Sequence, residues 1–190
     1  MKYSLVKHAS LFLCFAGVGI WLVGQKAGPS SLTDQWEAVE AEMNKGLPKT
    51  AIEKLEPFIK RAVEQDARAE AIRGIVQRVN LEGAIQGNKP EEKIVRLEAE
   101  MAKAPEVLGP MLQAVLANWY WHYFQNNRWR FAQRTRTAEA PGDDMQTWDL
   151  PRILAEIDKQ FQRTLSHEEA LKAEKVGEYN FLLNQGSVPD

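Results

Sequence analysis

From Thr33 onward, apolar side chains recur every three to four positions, and no stretch shows sustained alternation of β-branched and polar residues. This pattern constrains the fold more than any other feature of the chain. A period near 3.6 gathers apolar residues on one stripe of a helix, whereas a half-buried strand needs a period of two. The expected fold class is therefore all-α, with about six to eight helices after the leader and no sheet. Short connections favour antiparallel helical hairpins, arranged as a bundle or as an irregular TPR-like array. The stretch through Trp36, Gly46, Ala51, Leu55 and Ala62 loosely echoes a tetratricopeptide unit, but no clean repeat of about 34 residues follows it.

The periodicity assigns the segments. "TDQWEAVEAEMNKG" puts Trp36, Val39 and Met43 on one face, with Gly46 as a C-cap. "LPKTAIEKLEPFIKRAVEQ" repeats Ile52, Leu55, Ile59, Ala62 and Val63; Pro48 suits its first turn, and Pro57 predicts a kink. "AEAIRGIVQRV" carries Ile72, Ile75, Val76 and Val79 and should stop before "QGNKP". Ile94, Leu97, Met101 and Ala104 mark the next helix, which Pro105 breaks. Leu108 to Tyr123 form another, with Asn126-Asn127 as its expected end. "TRTAEAPGDDMQT" reads as an exposed loop because Pro, Gly and Asp cluster there. Asp149 is the N-cap of a helix with Leu154, Ile157, Phe161 and Leu165 expected inward. Ser166 and Glu169 form a capping-box pattern for a last helix carrying Leu171, Phe181 and Leu182.

Residues 1–30 have another character. Two lysines precede a 14-residue uncharged, mostly apolar run, "LFLCFAGVGIWLVG", and small polar residues follow. That is the layout of a secretory signal peptide, with Ala27 as a cleavage position. Uncharged residues run from His8 to Gln25, about the minimum for a membrane span, so an inner-membrane anchor through residues 8–25 is the first alternative and a buried helix of a cytosolic protein the second. The domain reading is a signal peptide or anchor with a short linker over 1–30 and a single helical domain over 31–190. The expected location is exported: periplasmic, inner-membrane-anchored or extracellular.

The chain offers little chemistry. Lys plus Arg is 24 and Asp plus Glu is 26, a net charge of −2, which gives no bulk attraction to nucleic acid or anionic lipid. The single cysteine, Cys14, lies in the leader, so a processed chain has no thiol, disulfide or Cys-based zinc site. No H-x-x-x-H, G-x-S-x-G, Walker A or G-x-G-x-x-G occurs. His122 stands alone, and Asp143-Asp144 is a carboxylate pair read as a solvated turn, since adjacent acids make no catalytic dyad without a pocket. No catalytic, metal-ligating or cofactor-binding residue is assigned, and the chain reads as a non-enzyme.

"LANWYWHYFQNNRWRFAQRT" holds three of the six tryptophans. Aromatics all round a helix predict a helix buried on several sides, with Trp119 mostly buried. A carbohydrate or peptide groove and a single-stranded nucleic-acid surface are the alternatives, and the net charge opposes the second. Arg128, Arg130, Arg134 and Arg136 are expected to pair with carboxylates or stack on tryptophans. Trp148 is expected to pack back on the helices and pin the loop before it. Trp129, Arg130, Arg134 and Trp148 are thus the candidate interaction or loop-anchor residues.

Three segments in this order, "GLPKTAIEKLEPFIKRA", "LANWYWHYFQNNRWRFAQRT" and "MQTWDLPRI", resemble the N-terminal helical region of very large bacterial alpha-2-macroglobulin-like proteins. The resemblance covers residues 33–185; N-R-W-R-F-x-x-R-T and T-W-D-L are its most specific pieces. It implies a helical adaptor within an exported protease-control system, a truncated or split member of the family. The family's thioester pattern C-x-E-Q is absent here, and no bait region can be carried over. The implied partner is a protein, either macroglobulin domains or another envelope protein, and not nucleic acid. The alternative is a free-standing envelope scaffold that binds a peptide or glycan.

Overall fold

The computed structural model describes residues 31–134, 142 and 144–182. The leader, Arg136, Asp143 and most of the 135–147 loop therefore lie outside the described residues. Among the described residues seven α-helices follow one another: α1 Leu32–Asn44, α2 Pro48–Glu64, α3 Arg68–Ile85, α4 Pro90–Met101, α5 Gly109–Gln133, α6 Leu150–Leu165 and α7 Glu168–Ala173. Two 3₁₀ turns, Glu106–Leu108 and Val176–Tyr179, complete the set, and no strand occurs among the described residues.

The helix ends follow from local chemistry. Ser31 and Asp34 cap α1 reciprocally: Asp34 N donates to Ser31 Oγ at 3.1 Å, and Ser31 N donates to Asp34 Oδ2 at 2.9 Å. Proline stands in the first turn of α2, α4, α5 and α6, where its missing N–H costs nothing. Lys45 is the C-cap of α1, and the chain then turns through Gly46 at φ 71°, a conformation that glycine adopts without strain. Asp149 caps α6, accepting from Arg152 N at 3.0 Å.

Several ends depart from expectation. α2 is continuous across Pro57, which is exposed, so water can serve the carbonyl that the missing N–H leaves free. α5 does not stop at Asn126-Asn127; Asn127 Nδ2 donates to Tyr123 O at 2.8 Å, so this amide bonds back along the helix instead of ending it. Ser166 does not form a capping box with Glu169. Its hydroxyl donates to Arg163 O at 2.7 Å, α7 has no side-chain cap, and it ends at Ala173. Phe181 and Leu182 thus lie beyond α7, past the Val176–Tyr179 turn.

Each of α1 to α5 packs on the next helix in the chain, and α7 packs on α5. Trp36, Val39, Ala51, Leu55 and Phe58 form a small core between α1 and α2. The larger core runs from Ala62 through α3, α4 and α5 to Ile157 of α6, and Tyr179 closes it. Inside α5 the expected order is altered. Tyr120 is buried, while Trp119 is only half-buried and Trp121 is exposed. The aromatics of α5 thus point both inward and outward, so the helix is buried along one side rather than all round.

Candidate functional site

The loop-anchor residues meet at the C-terminal end of α5. Phe131 is fully buried and meets Tyr123 edge-on at 6.0 Å between ring centroids. The Arg130 guanidinium lies 5.0 Å from the Phe131 ring, and its Nη2 donates to the Tyr123 hydroxyl at 2.6 Å. Arg134 Nη1 donates to Trp148 O at 2.8 Å, and Trp148 Nε1 donates to Gly142 O at 2.6 Å. Arg152 stacks over the buried Trp148 ring at 4.8 Å. Arg130, Arg134 and Trp148 are therefore held around the C-terminal end of α5. Trp129 stands apart at 73 % exposure. Arg130 and Arg134 bond to a phenol and a carbonyl, not to the carboxylates expected, because α5 runs on to Gln133 and turns them toward Tyr123 and Trp148. Met145, expected in an exposed loop, is buried beside this cluster.

Burial raises the Tyr123 phenol above its ordinary value, although the bond from Arg130 opposes that. A neutral, fully engaged phenol is a structural group, not a nucleophile. Among the described residues no group of three His, Cys, Asp or Glu side chains could hold a metal ion, and no helix is long and apolar enough to cross a membrane.

The seam between α5 and α6 was not legible as a site. Gln160 is buried; its Oε1 accepts from Gln113 Nε2 at 2.8 Å, and its Nε2 donates to Glu156 Oε1 at 2.6 Å. Lys159 Nζ donates to both Glu156 oxygens, at 2.9 and 3.0 Å. Burial raises Glu156, but the Lys159 and Gln160 bonds outweigh it and hold the carboxyl below its ordinary value. Across the same region, Tyr120 Oη donates to Glu98 Oε1 at 3.0 Å. Partial shielding of the Glu98 carboxyl raises it above the ordinary 4.5, the Tyr120 bond opposes this, and nearby Glu156 adds to it.

A group bound more tightly to its proton in the folded state stabilises the fold most at low pH. The Glu98 contribution is full below pH 4.5 and declines as the pH rises through its folded-state value. Urea midpoints should therefore show Glu98→Gln gaining stability relative to wild type between about pH 4 and pH 7. An equal difference at both pH values would remove this coupling.

These hydrogen bonds set the rotation of α6. Its apolar residues are Leu150, Ile153, Leu154, Ile157, Phe161 and Leu165, but its buried residues are Ile153, Glu156, Ile157 and Gln160. At 100° per residue, the centres of these two arcs differ by roughly 80°. Leu154, Phe161 and Leu165 were expected inward and instead stand 41, 41 and 60 % exposed. The physical reason is the Gln113–Gln160–Glu156 chain, which draws the polar edge into the seam, because a buried amide must be bonded. Half of the apolar face is left toward solvent, with Asp158 among its residues and in no ion pair among the described residues.

No protein-family model, no curated protein and no solved structure matches the chain.

Proposed function

We propose that the chain is a non-enzymatic helical interaction module that docks a protein through the outward face of α6. The observation that carries this reading is the rotation of α6, which exposes Leu154, Phe161 and Leu165 while burying Glu156 and Gln160. Exposed apolar residues aligned along one side of a helix are the raw material of an interaction surface. Helices packed in chain order, with Gln113 meeting Gln160 and Arg134 meeting Trp148, support antiparallel hairpins in an irregular TPR-like array. A hairpin array needs its last unit covered, and α6 is the last long helix described.

The resemblance of the three segments to alpha-2-macroglobulin-like proteins supplies the context. In this reading the leader exports the chain or anchors it, and the partner belongs to a protease-control assembly. A free-standing envelope scaffold is the second reading. The exposed Trp129 ring favours it, since glycan and peptide sites use such rings.

The test replaces Leu154, Phe161 and Leu165 together with Gln. These side chains are partly solvated, so the expected loss of stability is about 1–2 kcal/mol for the three together. In gel filtration of extracts from cells that make the protein naturally, wild type should elute in a larger assembly and the triple variant as the free chain. Mass spectrometry of that assembly should find macroglobulin-type domains. Wild type eluting at the mass of the chain alone overturns the module reading, and an assembly that survives the triple substitution moves the surface elsewhere.

A further inference from the structure

Resting on that reading, we infer that the occupant of the α6 face is an amphipathic α-helix of a different polypeptide, one that presents a lysine or arginine to Asp158. Leu154, Asp158, Phe161 and Leu165 fall at i, i+4, i+7 and i+11, a single ridge about 17 Å long. A ridge of that spacing fits the groove between side-chain rows of another helix. An extended segment fits less well: it would bring unpaired backbone N–H and C=O groups against apolar side chains that cannot bond them, whereas a helix satisfies its own.

Asp158 selects the chemistry of the partner. It is exposed and sits within the apolar ridge. The adjacent Lys159 is committed to Glu156 at 2.9 Å. Arg163 lies five residues on, around 140° from Asp158 on the helix, and so points elsewhere. An apolar partner would cover this carboxylate without compensation, which is costly, whereas a cation converts it into a pairing and register contact.

A second copy of this chain fits poorly. The ridge is centred between Lys159 and Gln160, so an antiparallel pair sets each Asp158 against the other copy's Phe161, with both carboxylates in the interface. A parallel pair sets the two Asp158 side chains against each other. Both arrangements bury two carboxylates and supply no cation. An anionic membrane is opposed by the same residue.

The experiment uses the full chain and three synthetic 18-residue helices. Each has a leucine ridge of the same spacing, with Lys, Gln or Glu beside the central leucines. Fluorescence anisotropy should show the Lys helix binding at least tenfold tighter than the Glu helix. Asp158→Lys should reverse that order. Phe161→Ala should weaken the Lys helix at least tenfold while the far-UV circular dichroism and the melting temperature stay those of wild type. Equal affinities for the three helices overturn the inference. So does a dimer of the chain, seen in sedimentation, that Phe161→Ala dissolves, or binding to phosphatidylglycerol vesicles that Phe161→Ala abolishes. Where the cell-extract assembly depends on the α6 face but the helices are not discriminated, the occupant is wrong and the module reading stands. Where wild type elutes alone from the extract, the module reading itself falls.

Discussion

Phe131→Ala should destabilise the protein by about 3–5 kcal/mol, the range for deleting a ring from a packed core. Phe131 is fully buried and carries more than its own area. Its ring lies 6.0 Å from both Tyr123 and Phe124 and 5.0 Å from the Arg130 guanidinium. It also holds the last turns of α5, from which Arg134 reaches Trp148. Truncation would leave a cavity where α5 meets the start of α6. Urea unfolding followed by tryptophan fluorescence measures the loss. A cost below about 1 kcal/mol would mean that the site collapses without penalty and that the α5 end is held by Trp148 alone. Phe131→Leu, which keeps most of the volume, should cost less than half as much as Phe131→Ala.

Gly74→Leu should be comparably damaging, at about 3 kcal/mol or more, by overpacking instead of a cavity. Gly74 is in the middle of α3, where it faces α2. A Cβ placed there would come within 2.5 Å of Ile59 Cγ1 and 3.0 Å of Phe58 Cδ1. Phe58 is fully buried, so it has little room to give. Gly74→Ala separates the two terms. It recovers up to about 1 kcal/mol of helix propensity, set against the displacement of Ile59. The alanine variant should therefore lie near wild type or moderately below it, and the leucine variant far below. Thermal unfolding of both variants gives the comparison. A leucine variant as stable as wild type would show that α2 and α3 can separate freely.

The helical segments were legible because the apolar period is strong and because prolines and Asp149 punctuate it. Ile72, Ile75, Val76 and Val79 were read as one face of α3, and all four are buried. What escaped has a common physical cause. A hydrophobic pattern reports which side of a helix is apolar, not which side is turned inward. In α6 these differ, because a buried glutamine pair outcompetes Leu154 and Phe161 for the seam. Tyr120 likewise takes the interior place expected of Trp119, where its hydroxyl reaches Glu98. The paired asparagines in α5 looked like a stop, yet the packing of Tyr123 and Phe131 on either side carries the helix through. Trp148 and Arg134 were named from composition around a loop. That they meet through a backbone carbonyl could not be read from residue types alone.

The Trp36–Phe58 cluster shares the partly buried Leu32 and Ile59 with the larger core. α1 rests chiefly on α2. α1 should therefore open at lower cost than the helices of the larger core. Amide protons of α1 should exchange through an opening of lower free energy than those of α3, at rates insensitive to Phe131→Ala. A protease, or a competing helix, gains entry at that end first. The α1 end of the fold is thus a hatch, set by its own small stability.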